Sequence, residues 1–132
     1  MDDDPDAPIW ATAIEQSETL LLVATTGETL RGFCSLLPSR NADASSAVGE
    51  ITAIYVDPAC WRAGVGTSLI EAIIEAAHAR DFSDLTLWVL TSNTSARAFY
   101  EARGFETDGH TKTEERAGFS MHETRYRRRI AA

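Results

Sequence analysis

Two glycines near the middle of the chain stand where a phosphate could be bound. Residues 50–56 alternate as a strand, Asp57-Pro58 ends that strand, and Gly64-Val65-Gly66-Thr67 then opens a helix. The first amides of a helix have no partner within the helix, and the helix dipole favours negative charge there. The backbone of these four residues therefore predicts a site for a phosphate or pyrophosphate.

Two common phosphate-binding loops do not fit this segment. A Walker loop places Lys and then Ser or Thr after its last glycine, whereas Thr67-Ser68 follow here. A dinucleotide-binding fingerprint needs a third glycine at the position of Leu69. What remains is a strand, an Asp-Pro turn that contains Arg62, and a Gly-x-Gly pair at the start of a helix.

A second motif follows after one helix and one strand. It reads Asn93-x-x-Ala96-x-x-Phe99-Tyr100-x-x-x-Gly104-Phe105. In this order, the two motifs resemble motif A and the C-terminal motif of the GCN5-related N-acetyltransferase (GNAT) family, over roughly residues 20–130. The sequence departs from the family at Trp61, where Gln or Arg is usual, although Arg62 follows.

The resemblance implies transfer of an acetyl group from acetyl-coenzyme A to a primary amine in a ternary complex, with a small-molecule acceptor favoured over a protein. It implies that the backbone of Ile54, Tyr55 and Val56 binds the pantetheine arm. The amides of residues 64–67, with Arg62 and Ala63, would bind the pyrophosphate. Asn93 would bond the pantetheine or acetyl region, and its alternative is a helix cap.

By the same resemblance, Tyr100 is the general acid that protonates the departing thiolate. Its alternative is a core aromatic beside Phe99. Glu50 is the candidate general base, and its alternative is a solvated carboxylate at a strand end. Some members place an acid where Trp88 stands, so Trp88 would wall the acceptor pocket or fill the core. The alternatives to an enzyme are an acyl-coenzyme A-binding module without activity and a protein-interaction domain.

Composition excludes several other classes of protein. The 132 residues carry a net charge of −8, which argues against nucleic-acid binding. No apolar run approaches 18 residues and the N-terminus is acidic, so we expect neither a membrane span nor a signal peptide. The three histidines are scattered, so we expect no metal site, and Cys34 and Cys60 indicate reduced thiols in a cytoplasmic protein.

Periodicity predicts one mixed α/β (α+β) domain over residues 9–132, after an acidic flexible lead of residues 1–8. The sheet is expected to be mostly antiparallel, with one central parallel pair that the resemblance implies is splayed, and with flanking helices. The strands are predicted at Thr19–Thr25, Leu30–Leu37, Val48–Val56, Leu85–Leu90, Phe105–Lys112 and Met121–Ile130, and the helices at Gly64–Arg80 and Ala96–Arg103.

The N-terminal segment is where the sequence and the family differ most. The family usually begins with a strand and two helices that help form the substrate wall, whereas about eighteen residues precede the Leu20 strand here. We interpret Ile9–Glu18 as a short helix and expect the N-terminal helices to be shortened. We also expect a homodimer, because shortening would uncover the apolar strand Thr19–Thr25.

The arginines near the C-terminus leave two interpretations open. Arg125, Arg127, Arg128 and Arg129 form a locally basic stretch. They indicate a solvated terminal strand, or a cation patch for the 3′-phosphate of coenzyme A or an acidic substrate.

Overall fold

The computed structural model describes residues 10–16, 18–60 and 64–131. The elements alternate between strands and helices only in the second half of the chain. They are β1 (Trp10–Gln16), β2 (Thr19–Thr26), β3 (Thr29–Pro38), β4 (Val48–Val56), a 3-10 turn (Pro58–Cys60), α1 (Val65–Ala79), β5 (Asp84–Leu90), α2 (Thr94–Ala102), β6 (Glu106–Arg116) and β7 (Phe119–Arg129).

The strands form one seven-stranded sheet in the order β1-β2-β3-β4-β5-β7-β6. Within this sheet β4 and β5 are parallel, and α1 provides the crossover between them. The other five pairs of neighbours are antiparallel. The expected mixed and mostly antiparallel sheet with a central parallel pair is therefore confirmed.

Both helices pack against the same face of the sheet. On β2, alternate residues from Leu20 to Ala24 point into the core, and they meet α1 at Leu69 and Ile73. Tyr100 of α2 joins the same hydrophobic cluster. The opposite side, which we call the open face, has no helix against it in the described part of the chain, and it carries Leu21, Val23, Phe33, Glu50, Tyr55, Thr86 and Trp88.

The expected helix at Ile9–Glu18 is wrong, because residues 10–16 form β1 and pair with β2. A helix of about ten residues is marginal on its own. Pairing with β2 instead satisfies the backbone of a segment that contains the β-branched Thr12 and Ile14. Residues 17 and 18 alone separate β1 from β2, a connection too short to contain a helix. The predicted lead of residues 1–8 lies outside the described residues.

The expected link at Thr113–Ser120 is also wrong, because β6 and β7 extend through most of it. Their turn consists of Ala117 and Gly118 alone, both with positive φ, at 51° and 83°. Two consecutive positive φ values are typical of the tight hairpin turns that match the twist of antiparallel strands. Alanine seldom occupies that conformation, so the composition of the segment did not indicate a turn.

We expect Ala117→Asn to raise the free energy of unfolding by about 0.5–1 kcal/mol, because asparagine tolerates the left-handed conformation that strains alanine. Urea denaturation measures the change. Ala102→Asn, in the last turn of α2, is the matched control and should lower stability through its poorer helix propensity. A loss of stability in Ala117→Asn would contradict the turn geometry.

Candidate functional site

The central parallel pair separates after four residue pairs. The ladder runs from Val48 opposite Asp84 to Ile51 opposite Leu87. Beyond it, β4 continues to Val56 and β5 continues to Leu90 without further pairing to each other. The two strands thus bound an opening in the sheet, which we call the cleft.

A β-bulge in β4 lies where the cleft begins. Opposite β3, Ser35 pairs with Ala53 and Leu36 pairs with Ile51, so Thr52 is the extra residue. The Thr52 hydroxyl lies 2.8 Å from the Ser35 hydroxyl, which holds the bulge on the open face. After the bulge, Ile54 and Tyr55 pair with β3 on one side and border the cleft on the other. Val56 pairs with Gly32.

The N-terminus of α1 lies after the last residues of β4 and the 3-10 turn. Gly64 precedes the helix with φ of 86°, a conformation that favours glycine, and no atom lies within 4 Å of a Cβ added there. The first bond within the helix runs from the Ser68 amide to the Gly64 carbonyl, at 2.9 Å. The amides before Ser68 consequently have no partner within the helix. Arg62 and Ala63 lie outside the described residues.

The two sequence motifs are in physical contact. A Cβ on Gly66 would lie 3.1 Å from the Phe99 ring, so this glycine lets α2 pack closely over the first turn of α1. The guanidinium of Arg103 donates to the Thr67 hydroxyl through Nε, at 3.2 Å, and through Nη2. It also lies 4.0 Å from the centre of the Phe99 ring.

Arg103 is a functional candidate that sequence reasoning missed. Its cation stands at the positive end of the α1 dipole, an arrangement that a bound anion stabilises. The only available signal was a basic residue directly before Gly104, and nothing in the sequence shows that it reaches across to Thr67.

Tyr100 is buried, with 6% of its surface exposed. Its ring packs edge-on against Phe99 and Phe105, so it has the contacts of a core aromatic. Burial raises the pKa of Tyr100 to about 12, and the Cys34 thiol on β3 contributes to the same rise. The phenol therefore remains protonated at neutral pH.

Asn93 is the N-cap of α2. Its side-chain oxygen accepts a bond from the Ala96 amide at 3.1 Å. The capping interpretation is therefore correct in the structure. Asn93 also follows the end of β5, so it lies at the wide end of the cleft.

Glu50 lies on the open face, opposite Thr86 and one residue before the ladder ends. Its Oε1 accepts from the Ser39 hydroxyl and from the Arg40 amide, both at 3.4 Å. Trp88 lies on the same face, one residue past the end of the ladder, and is not part of the hydrophobic core. A role for Trp88 as a wall of the acceptor pocket stays a prediction.

Three of the four arginines of the basic stretch in β7 are bonded to other parts of the fold, whereas Arg129 is exposed. Arg125 is 3% exposed at its side chain and is bonded to Asp43 and Asp108. Arg127 pairs with Asp84, and Arg128 donates to the Arg103 carbonyl. These partners hold the C-terminal strand against the rest of the fold.

Other chemistries find little support among the described residues. No group of three potential metal ligands occurs in the described ranges, and no described helix is long and apolar enough to cross a membrane. Cys34 is free and fully buried, and burial raises its pKa to about 12. Such a thiol is a poor nucleophile.

A family model for the acetyltransferase (GNAT) family matches residues 1–105, which is more than half of the chain. The chain belongs to the GNAT family. The resemblance inferred from the two motifs is thus confirmed. For each residue that matches a family motif, the role known in the family is the first hypothesis to test.

Three known proteins illustrate the relationship. A probable N-acetyltransferase from Mycobacterium tuberculosis is 38% identical over 64 residues, which are 48% of this chain and 35% of that protein. A Salmonella typhimurium acetyltransferase, YncA, solved with acetyl-coenzyme A, matches with a TM-score of 0.73 at 18% identity, over 85% of this chain and 65% of that one. A Bacillus subtilis acetyltransferase solved with coenzyme A matches with a TM-score of 0.73 at 15% identity, over 92% of this chain and 99% of that one.

Proposed function

We propose that this GNAT domain transfers an acetyl group from acetyl-coenzyme A to a primary amine, by direct attack in a ternary complex. The observation that carries the proposal is the four-pair ladder of β4 and β5, which leaves a cleft beside the N-terminus of α1. Structures with coenzyme A or acetyl-coenzyme A bound are known among the structural neighbours.

The residues around the cleft fit the cofactor's chemistry. The amides of residues 64–67 and the Arg103 guanidinium offer donors and positive charge to a pyrophosphate. The edge of β4 at Ile54 and Tyr55 offers backbone groups to an extended amide-containing arm. Contributions from Val56, Arg62 and Ala63 stay predictions, as does a bond from Asn93.

When bound, acetyl-coenzyme A supplies an acetyl thioester. Tyr100 holds a proton at its hydroxyl at neutral pH and donates it to the sulfur that leaves. Glu50 accepts the proton of the amine on the open face. Direct attack is favoured over an acetylated cysteine, because the Cys34 thiol is buried and protonated.

A binding module without activity is the second candidate, because β1 joins β2 without the helices expected to wall the acceptor site. The preference for a small-molecule acceptor, the cytoplasmic location and the homodimer stay predictions.

The anion site can be tested with an isosteric pair. Asparagine and aspartate both tolerate the left-handed conformation at position 64, and they differ by one negative charge. By calorimetric titration, we expect Gly64→Asp to weaken acetyl-coenzyme A binding at least about tenfold relative to Gly64→Asn, because the charge repels the pyrophosphate. Equal affinities in two folded variants would rule out a phosphate at this helix terminus.

The role of Arg103 gives a second test. We expect Arg103→Gln to weaken acetyl-coenzyme A binding about tenfold, because a charged donor is lost from the site. Arg116→Gln, at the exposed end of the β6–β7 hairpin, is the matched control and should leave binding unchanged. A similar loss in both variants would indicate a general effect of net charge.

Tyr100→Phe separates an enzyme from a binding module. We expect turnover to fall about a hundredfold or more while the affinity for acetyl-coenzyme A changes little, because the proton donor is lost and the ring is kept. Steady-state kinetics and calorimetry measure the two effects. Unchanged turnover would show that Tyr100 is only a packing residue.

A further inference from the structure

The segment 39–47, between β3 and β4, carries one side chain that bonds directly to β5 and reaches β4 through Ser39. The Asn41 oxygen accepts from the Trp88 indole nitrogen on β5 at 3.1 Å. The Asn41 amide nitrogen donates to the Ser39 hydroxyl at 3.0 Å and reaches the Thr86 hydroxyl at 3.5 Å. Ser39 in turn donates to Glu50 on β4.

The indole of Trp88 sets the donor–acceptor direction of each hydrogen bond in this series from Trp88 to Glu50. An indole N–H can only donate, so the Asn41 oxygen must face Trp88 and its amide nitrogen must face Ser39. The Ser39 oxygen also accepts from the Asn41 backbone amide, at 3.2 Å. With two donors directed at its oxygen, the Ser39 hydroxyl has its own proton available for the Glu50 carboxylate.

A second side chain of the same segment anchors it to β7. Both oxygens of Asp43 accept from Arg125, at 2.8 and 2.7 Å. Arg125 is itself fixed by Asp108, at 2.6 Å, and Asp108 lies in the irregular part of β6 where the pairing register shifts. The segment that carries Asn41 is therefore tied down two residues further along.

The hydrogen bonds that end the series at Glu50 are long. Both donors to Glu50 lie at 3.4 Å, beyond the usual range of about 2.7–3.2 Å for such bonds. Hydrogen bonds of catalytic groups are often long before substrate binds and shorten in the reacting complex. The Ser39 hydroxyl and the Arg40 amide thus orient the Glu50 carboxylate without holding it rigidly.

We propose that Asn41 is a positioning residue that orients the Glu50 carboxylate at the mouth of the cleft, through Ser39, with Trp88 setting the direction of the bonds. The proposal rests on the proposed function, because Glu50 is the proton acceptor of that reaction and these hydrogen bonds orient it. It adds two residues, Asn41 and Ser39, to which neither motif points.

Asn41→Asp tests the direction of the chain. Aspartate still accepts from Trp88 but cannot donate to Ser39, so the Ser39 proton turns toward the introduced carboxylate and away from Glu50. Ser39→Ala removes the same proton and leaves the anchor on Trp88 in place. We expect either variant to lower kcat about three- to tenfold, with the KM for acetyl-coenzyme A unchanged.

The decisive readout is coupling to Glu50. If both residues act through the carboxylate, Ser39→Ala should lower kcat in the wild-type chain and have no further effect in Glu50→Gln. A structural role predicts the same loss in both backgrounds, and that result would overturn the proposal. It would also be overturned if Glu50→Gln were as active as the wild type.

A spectroscopic measurement keeps the proposal testable where Glu50→Gln is too slow to assay. With Trp10 and Trp61 replaced by phenylalanine, the emission reports Trp88 alone. We expect Asn41→Ala to shift the emission maximum, because the indole N–H loses its acceptor, and an unchanged maximum would contradict the bond to the indole. No turnover by the wild-type chain overturns the proposed function as well, whereas wild-type turnover that is unchanged by Ser39→Ala and Asn41→Asp overturns this proposal alone.

Discussion

The early end of the β4–β5 ladder is the constraint on which the rest of the site depends. A parallel pair inside a sheet normally continues, because unpaired backbone groups are costly to bury. Here the bulge at Thr52 turns β4 away after Ile51, and the pairing stops. This separation of β4 from β5 opens the sheet and leaves the edge of β4 available to pair with a ligand. It also makes the cleft accessible from both faces of the sheet.

The two faces of the sheet contribute different groups to the cleft. The helix face supplies the α1 amides, Arg103 and the Tyr100 phenol, all held by contacts between α1, α2 and the core. The open face supplies Glu50, Trp88 and the segment of Asn41. In the proposed reaction, the proton donor Tyr100 and the proton acceptor Glu50 would thus act from opposite faces of the sheet.

The sequence predicted most of the fold, because the strands from β2 to β5 and helix α1 have clear periodicity and clear ends. It was wrong at Trp10–Gln16 and at Ala117-Gly118, where pairing with a neighbouring strand decided the structure against local preference. In the site, the glycine spacing indicated Gly64, and the family resemblance indicated Tyr100 and Glu50. Arg103 and Asn41 could not be found in this way, because their partners lie 36 to 47 residues away in the chain.

The two-residue connection from β1 to β2 has a consequence for selectivity. Small-molecule sites usually enclose most of the ligand, and enclosure sets an upper limit on ligand size. Beside the cleft, Tyr55 is 44% exposed and stacks on Phe33 on a surface that no described element covers. For the proposed transfer, the described residues on this surface set no upper limit on acceptor size, so selection among acceptors would depend on the chemistry near the reacting nitrogen.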